Sequence, residues 1–147
     1  MANIEIDTEF DIENYMYANL RNYLIEHSKF SPNVYPKPPK QLVKFPTVLF
    51  RETDNNDDVR YRTLNRVQQA YQITNTIEIY TQDMTINGVR YASKTIMNEL
   101  KYLVFDFFEY YGATRLSCTP AEYSDYQVDR LVIVERYIQN NWNRGID

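Results

Sequence analysis

Along residues 10 to 27, FDIENYMYANLRNYLIEH, the positions Ile12, Tyr15, Met16, Leu20, Tyr23 and Leu24 recur at three- and four-residue spacings. That stripe predicts an amphipathic helix with one side on a core, and Asp11 and Glu13 suit its positive N-terminal end. The period drops to two in AYQITNTIEIYTQD, residues 70 to 83. There Tyr71, Ile73, Ile77 and Ile79 share one face and Thr74, Thr76 and Glu78 the other, which predicts a strand buried on one side only. FPTVLFRE at 45 to 52 is β-branched and aromatic and predicts the first strand, with Pro46 tolerated at its start. TDNNDD at 53 to 58 is turn chemistry, so the two strands are expected to form an antiparallel hairpin with a long mobile loop at 53–69.

After Asn87-Gly88, residues 91 to 111 carry Ile96, Leu100, Leu103, Val104, Phe107, Phe108 and Tyr111 as a stripe broad enough to cover a sheet, with Gly112 placed to cap the helix. TRLSCT at 114–119 and VDRLVIVERYI at 128–138 read as two more strands joined by PAEYSDYQ, and residues 139–147 as an irregular tail. The order helix, strand, strand, helix, strand, strand predicts an α+β fold, a small antiparallel sheet of about four strands covered by two helices in one domain spanning 1–147. No fixed-period repeat interrupts it.

Five of the six prolines fall between residues 32 and 46. Each fixes its own φ and pushes the preceding residue out of the helical region, so residues 32–40 are expected to be extended and polyproline-like, inside a basic proline-rich arm at 29–44. Such an arm either reaches a neighbouring molecule or crosses stiffly from helix to sheet.

The chain's 147 residues, 44% apolar and 24% charged, suit one core that buries roughly two-thirds of the unfolded surface. No apolar run approaches the roughly 20 residues that cross a bilayer, and the acidic start MANIEIDTEFDIE is unlike a secretory leader, so no membrane partner is expected. A single cysteine, Cys118, and a single histidine, His27, leave no internal disulfide and no zinc cluster. Three glycines leave no glycine-rich phosphate loop, and no cofactor or metal is expected. Asp54, Asn56 and Asp58 imitate the first ligands of a calcium loop, but Val59 and Asn65 stand where it needs glycine and glutamate. His27 at a helix end, Cys118 in a strand and the pair Asp106 and Glu109 on a polar helix face all read as structural, so no catalytic residue is assigned.

Charge is uneven. Residues 1–28 hold six acids against Arg21, whereas residues 29–66 hold eight bases against four acids. Fourteen tyrosines, seven phenylalanines and Trp142 exceed what one core can bury, and tyrosine is favoured where protein surfaces meet. Tyr35, Lys37, Lys40, Lys44, Arg60, Arg62, Arg66, Tyr123, Tyr126 and Trp142 are the candidate partner-binding residues. Base stacking by a nucleic-acid-binding module at 29–66 is the competing use.

KFPTVLFRETDNN, then YQITNTIEIYTQD, a helix, RLSCTP and VDRLVIVERYI resemble in order and spacing the tail terminator and tail-to-head joining proteins of long-tailed bacteriophages, over residues 10 to 138. The resemblance carries no catalytic motif. It implies a virion protein, found in the host cytoplasm during assembly, that forms a ring, commonly a hexamer, and is not an enzyme. Such a ring caps the tail tube, meets the head connector and lets DNA pass through its channel without specific binding. A neck or head-completion protein on the stopper side shares the pattern.

Overall fold

A computed structural model describes residues 8–36, 44–57 and 70–140. In chain order these form α1 (Thr8–His27), β1 (Asn33–Tyr35), β2 (Thr47–Asp57), β3 (Ala70–Thr81), β4 (Met84–Ile86), β5 (Val89–Tyr91), α2 (Ser93–Tyr110), β6 (Thr114–Ala121) and β7 (Asp129–Asn140). The main sheet has the order β1-β2-β3-β7-β6, and β4 and β5 form a separate hairpin. β1 runs parallel to β2, with Val34 opposite Val48, and every other neighbouring pair in the main sheet is antiparallel.

The period-two alternation decides which side of the sheet is the core. Val48 and Phe50 of β2, Ile73, Ile77 and Ile79 of β3, and Leu131, Ile133 and Tyr137 of β7 point one way. They meet Met16, Leu20 and Leu24 of α1 and Ile96, Leu100, Val104, Phe107 and Phe108 of α2. The Phe50 and Phe108 rings stack at 6.4 Å. Fully burying one such aliphatic side chain contributes about 1.5–3 kcal/mol, so this interface dominates the stability. Helix ends are closed locally. Gly112, at φ 70°, takes the left-handed position after α2, its N–H donating to Glu109 while that of Ala113 reaches back to Phe108.

The mixed α+β class and the mostly antiparallel sheet agree with the sequence, and four local expectations are corrected. The sheet has five strands rather than about four, because residues 33–35, expected to be extended and polyproline-like, pair with β2 as a strand. Pro32 and Pro36 flank β1, so none of its own N–H groups is lost, and Asn33 N–H donates to the Pro46 carbonyl at 2.9 Å. The polar residues 53–57 are not a turn. They continue β2 through a bulge between Glu52 and Asp54, paired with residues 71–74 of β3, where ladder hydrogen bonds outweigh weak strand propensity. Asn87 and Gly88, both at positive φ, close the β4–β5 hairpin, so α2 begins at Ser93 instead of 91. The Asp83 carboxylate holds that junction, accepting from Ser93 N–H at 2.8 Å and from Arg90 at 2.7 Å. Finally, Pro120 and Ala121 belong to β6, and β7 extends to Asn140. Residues 37–43 of the proline arm, residues 58–69 of the expected loop and the tail from 141 lie outside the described residues.

Candidate interaction surface

Both helices cover the same side of the sheet, so among the described residues no helix covers the other side. That second face is set by the alternate positions: Thr47, Leu49 and Arg51 on β2, Thr74, Thr76, Glu78 and Tyr80 on β3, Arg130, Val132, Val134 and Arg136 on β7, and Ser117 and Thr119 on β6.

Its centre is a charge cluster drawn from three strands. The Glu78 carboxylate, only 6% exposed, accepts from Arg130 Nη2 at 2.8 Å and Nε at 3.1 Å, from the Tyr80 hydroxyl at 2.7 Å and from Arg51 Nη2 at 3.3 Å. Burial alone would raise the Glu78 pKa, but the Tyr80 and Arg130 hydrogen bonds and the two guanidinium charges outweigh it and hold the carboxyl below its ordinary value. Tyr80 is pushed up to about 12, first by burial and then by the anionic Glu78 that its hydroxyl serves. The arginines Arg51, Arg130 and Arg136 share this face with Glu78 and, by register opposite Thr74, with Asp54, so among the described residues three bases stand against two acids and the formal charge is +1.

At the Tyr80 end a small apolar cluster folds over the sheet. Leu49, Tyr80 and Val128 are buried there, with Tyr35, Phe45 and Tyr123 packed against them, and Tyr123 meets Tyr80 edge-on at 5.3 Å. Elsewhere on this face Val132, Val134 and Thr76 are half-buried.

The two edges of the sheet differ. β6 carries a bulge between Arg115 and Ser117 and, at Pro120, a residue without an N–H, both of which oppose strand addition. On the other side β1 covers only Thr47–Leu49 of β2, so, among the described residues, positions 50–57 of β2 have no strand partner on that side.

The outer side of α2 supplies a second exposed surface. Tyr102, Asp106 and Tyr110, at four-residue spacing with Glu109 alongside, stand in solvent, Tyr110 at 84% exposure and Tyr102 at 58%. No basic residue lies in the last turn of α2, and Lys94 and Lys101 sit in its N-terminal half. Tyr15 of α1, also exposed, extends the aromatic surface next to Tyr111.

On the core side, a polar group is buried between the helices and the sheet: Asn75, Glu135 and Tyr137. Burial raises the Glu135 pKa despite Arg115 at 3.6 Å, whose guanidinium lies over the Phe105 ring at 3.4 Å. The Glu13 carboxylate, nearby, accepts from Glu52 N–H at 2.9 Å.

Of the residues singled out in the sequence, Tyr35 and Tyr123 come together in the small apolar cluster. Tyr126, at 91% exposure, stands out from the β6–β7 connection, and Lys44 is exposed just before Phe45. Lys37, Lys40, Arg60, Arg62, Arg66 and Trp142 lie outside the described residues. Sequence reasoning missed the cluster of Arg51, Glu78 and Arg130, whose members are brought together only by strand register. It placed Asp106 and Glu109 on a polar helix face and missed the tyrosines interleaved with them, which the four-residue spacing could have revealed.

His27 donates from Nδ1 to the Tyr23 carbonyl at 2.9 Å and stacks on the Tyr23 ring, and Cys118 is half-buried against the main core. Among the described residues no group of three or more His, Cys, Asp or Glu side chains is placed to hold a metal ion, and no helix is long and apolar enough to cross a membrane. Neither a scan against models of known protein families nor a search of curated proteins returns a match for this sequence.

Proposed function

We propose that this chain is a structural ring subunit of the tail terminator type, a protein that caps a phage tail tube and joins it to the head connector. The observation that carries the reading is a sheet face that no helix covers among the described residues. A subunit of this form associates face to face, and a face that meets a different face of the next copy builds a ring when the rotation per subunit closes. The surplus of tyrosine outside the core supplies contact area at low rotamer cost. Two cations of the basic segment 29–66 are engaged within the subunit: Lys29 lies over the Tyr91 ring at 4.8 Å, and Arg51 bonds Glu78.

The test is the mass of the purified protein in solution across concentration, by light scattering after size exclusion, alone and with tail tubes. A hexamer, or a monomer that becomes a ring on tubes, is the expected result. A species that ignores tubes but binds the head connector moves the assignment to a head-completion protein. A monomer that ignores both and binds DNA with a steep salt dependence overturns the reading in favour of a nucleic-acid-binding module.

A further inference from the structure

Building on the ring reading, we propose which two surfaces meet: the exposed C-terminal half of α2, with Tyr102, Asp106, Glu109 and Tyr110, seats on the sheet face of a second copy that no described helix covers, around its arginines Arg51 and Arg136.

Charge placement is the first reason. The C-terminal end of a helix carries a partial negative charge, so acids there are unfavourable and cations are the stabilising choice. α2 has the reverse arrangement, and among the described residues neither Asp106 nor Glu109 forms an ion pair. A cationic partner surface removes that cost, and this chain carries one on the far side of its own sheet.

Symmetry is the second. Two sheet faces set against each other would bring the arginine cluster onto its own copy, and two α2 stripes would oppose acid with acid. Only the unlike pairing matches charge, and it also lays the Tyr102 and Tyr110 rings over guanidinium groups, where cation–π attraction adds to the contact. In the resulting contact α2 lies between two sheets, its own and that of the next copy. The interface is head-to-tail, and each copy uses both surfaces once.

The experiment uses two variants of the full chain. One reverses the helix stripe (Asp106→Arg with Glu109→Arg), and the other reverses the sheet face at residues that leave the Glu78 cluster intact (Thr119→Glu with Arg136→Glu). Circular dichroism checks that each folds, and light scattering after size exclusion reads the assembly. Each variant alone opposes like charges, and the concentration for half-assembly should rise at least tenfold. Mixed in equal amounts, every contact again pairs opposite charges, and rings alternating between the two variants should recover the wild-type mass. Variants that assemble like wild type, or a mixture that stays dissociated, overturn this pairing while wild-type rings on tail tubes leave the ring reading intact. A wild-type chain that is monomeric both alone and on tubes overturns both.

Discussion

Glu78→Gln isolates the charge at the centre of the sheet's open face while keeping its shape. The glutamine oxygen still accepts from Arg130 and Tyr80, and its amide replaces the oxygen that faced Arg51. A hydrogen bond to a charged group contributes about 1.5–3 kcal/mol and a neutral one about 0.5–1.5, so each bond that loses its charge forfeits about 1 kcal/mol. The Arg51 bond is discounted, because its side chain is 49% exposed and turns into water. The two partners on Oε1, Arg130 and Tyr80, remain, giving an expected loss of about 2–3 kcal/mol at pH 7. For a domain of this size that lowers Tm by about 4–12 °C. The pH dependence supplies the discriminating control. Because the folded pKa of Glu78 lies below its ordinary 4.5, its contribution is fully present above pH 4.5 and is lost as pH falls through the folded value. Urea denaturation of both proteins should therefore show a constant gap from pH 5 to 8 that narrows on acidification. A gap below about 0.5 kcal/mol at pH 7, the level of an ordinary surface substitution, would refute the reasoning. So would a gap unchanged at pH 3.

Three further outcomes are expected. Tyr80, with its pKa raised to about 12, favours the folded state below pH 10 and loses that contribution as pH rises towards 12; Tyr80→Phe should flatten the alkaline decline in stability, followed by urea denaturation across that range. Glu135 has a raised pKa, so its contribution is present below the ordinary 4.5 and lost as pH rises through its folded value. Glu135→Gln should therefore gain stability relative to wild type between pH 4 and pH 7, and an unchanged difference would place the carboxyl in a wetter site than described. Ile77→Ala, at a fully buried position under α2, should cost about 2–5 kcal/mol, whereas Val132→Ala on the other side of the sheet should cost less than half as much in the same denaturation assay. Equal losses would mean that the second face is covered in the isolated subunit.

What the sequence disclosed depended on whether the informative contacts were local. Met16, Leu20 and Leu24, the alternation of Ile73, Ile77 and Ile79, and the broad apolar side of α2 each encode a face within one element and lie where the pattern put them, whereas Tyr15, placed on the same α1 stripe, is 59% exposed. β1 was hidden because the prolines around Asn33–Tyr35 speak for an extended chain without saying whether it pairs. Residues 53–57 have turn composition, and only their partners on β3 make them strand. The Glu78 cluster illustrates the limit most directly. Arg51, Glu78 and Arg130 come from three strands, and their meeting depends on the registers that set Leu49 opposite Glu78 and Glu78 opposite Val132. Nothing local in FRE, IEI or DRL announces it. The α2 stripe was legible as a spacing, but what its acids and tyrosines would face lies outside the element itself.

The strand order has a kinetic consequence. β3 lies at the sheet's centre, yet its second neighbour, β7, is the last strand in sequence: Ile77 pairs with Ile133, across the whole of α2 and β6. During synthesis at about 5–20 residues per second, β3 is made several seconds before the strand that completes it. Until then its isoleucine-rich edge displays unpaired backbone groups of the kind that recruit strands from other chains. Closing this sheet requires contacts between residues far apart in sequence, which slows folding, so the nascent subunit passes through an interval of vulnerability to aggregation. Thr74, Thr76 and Glu78, interleaved with the isoleucines, lower the apolar density of that edge while it waits.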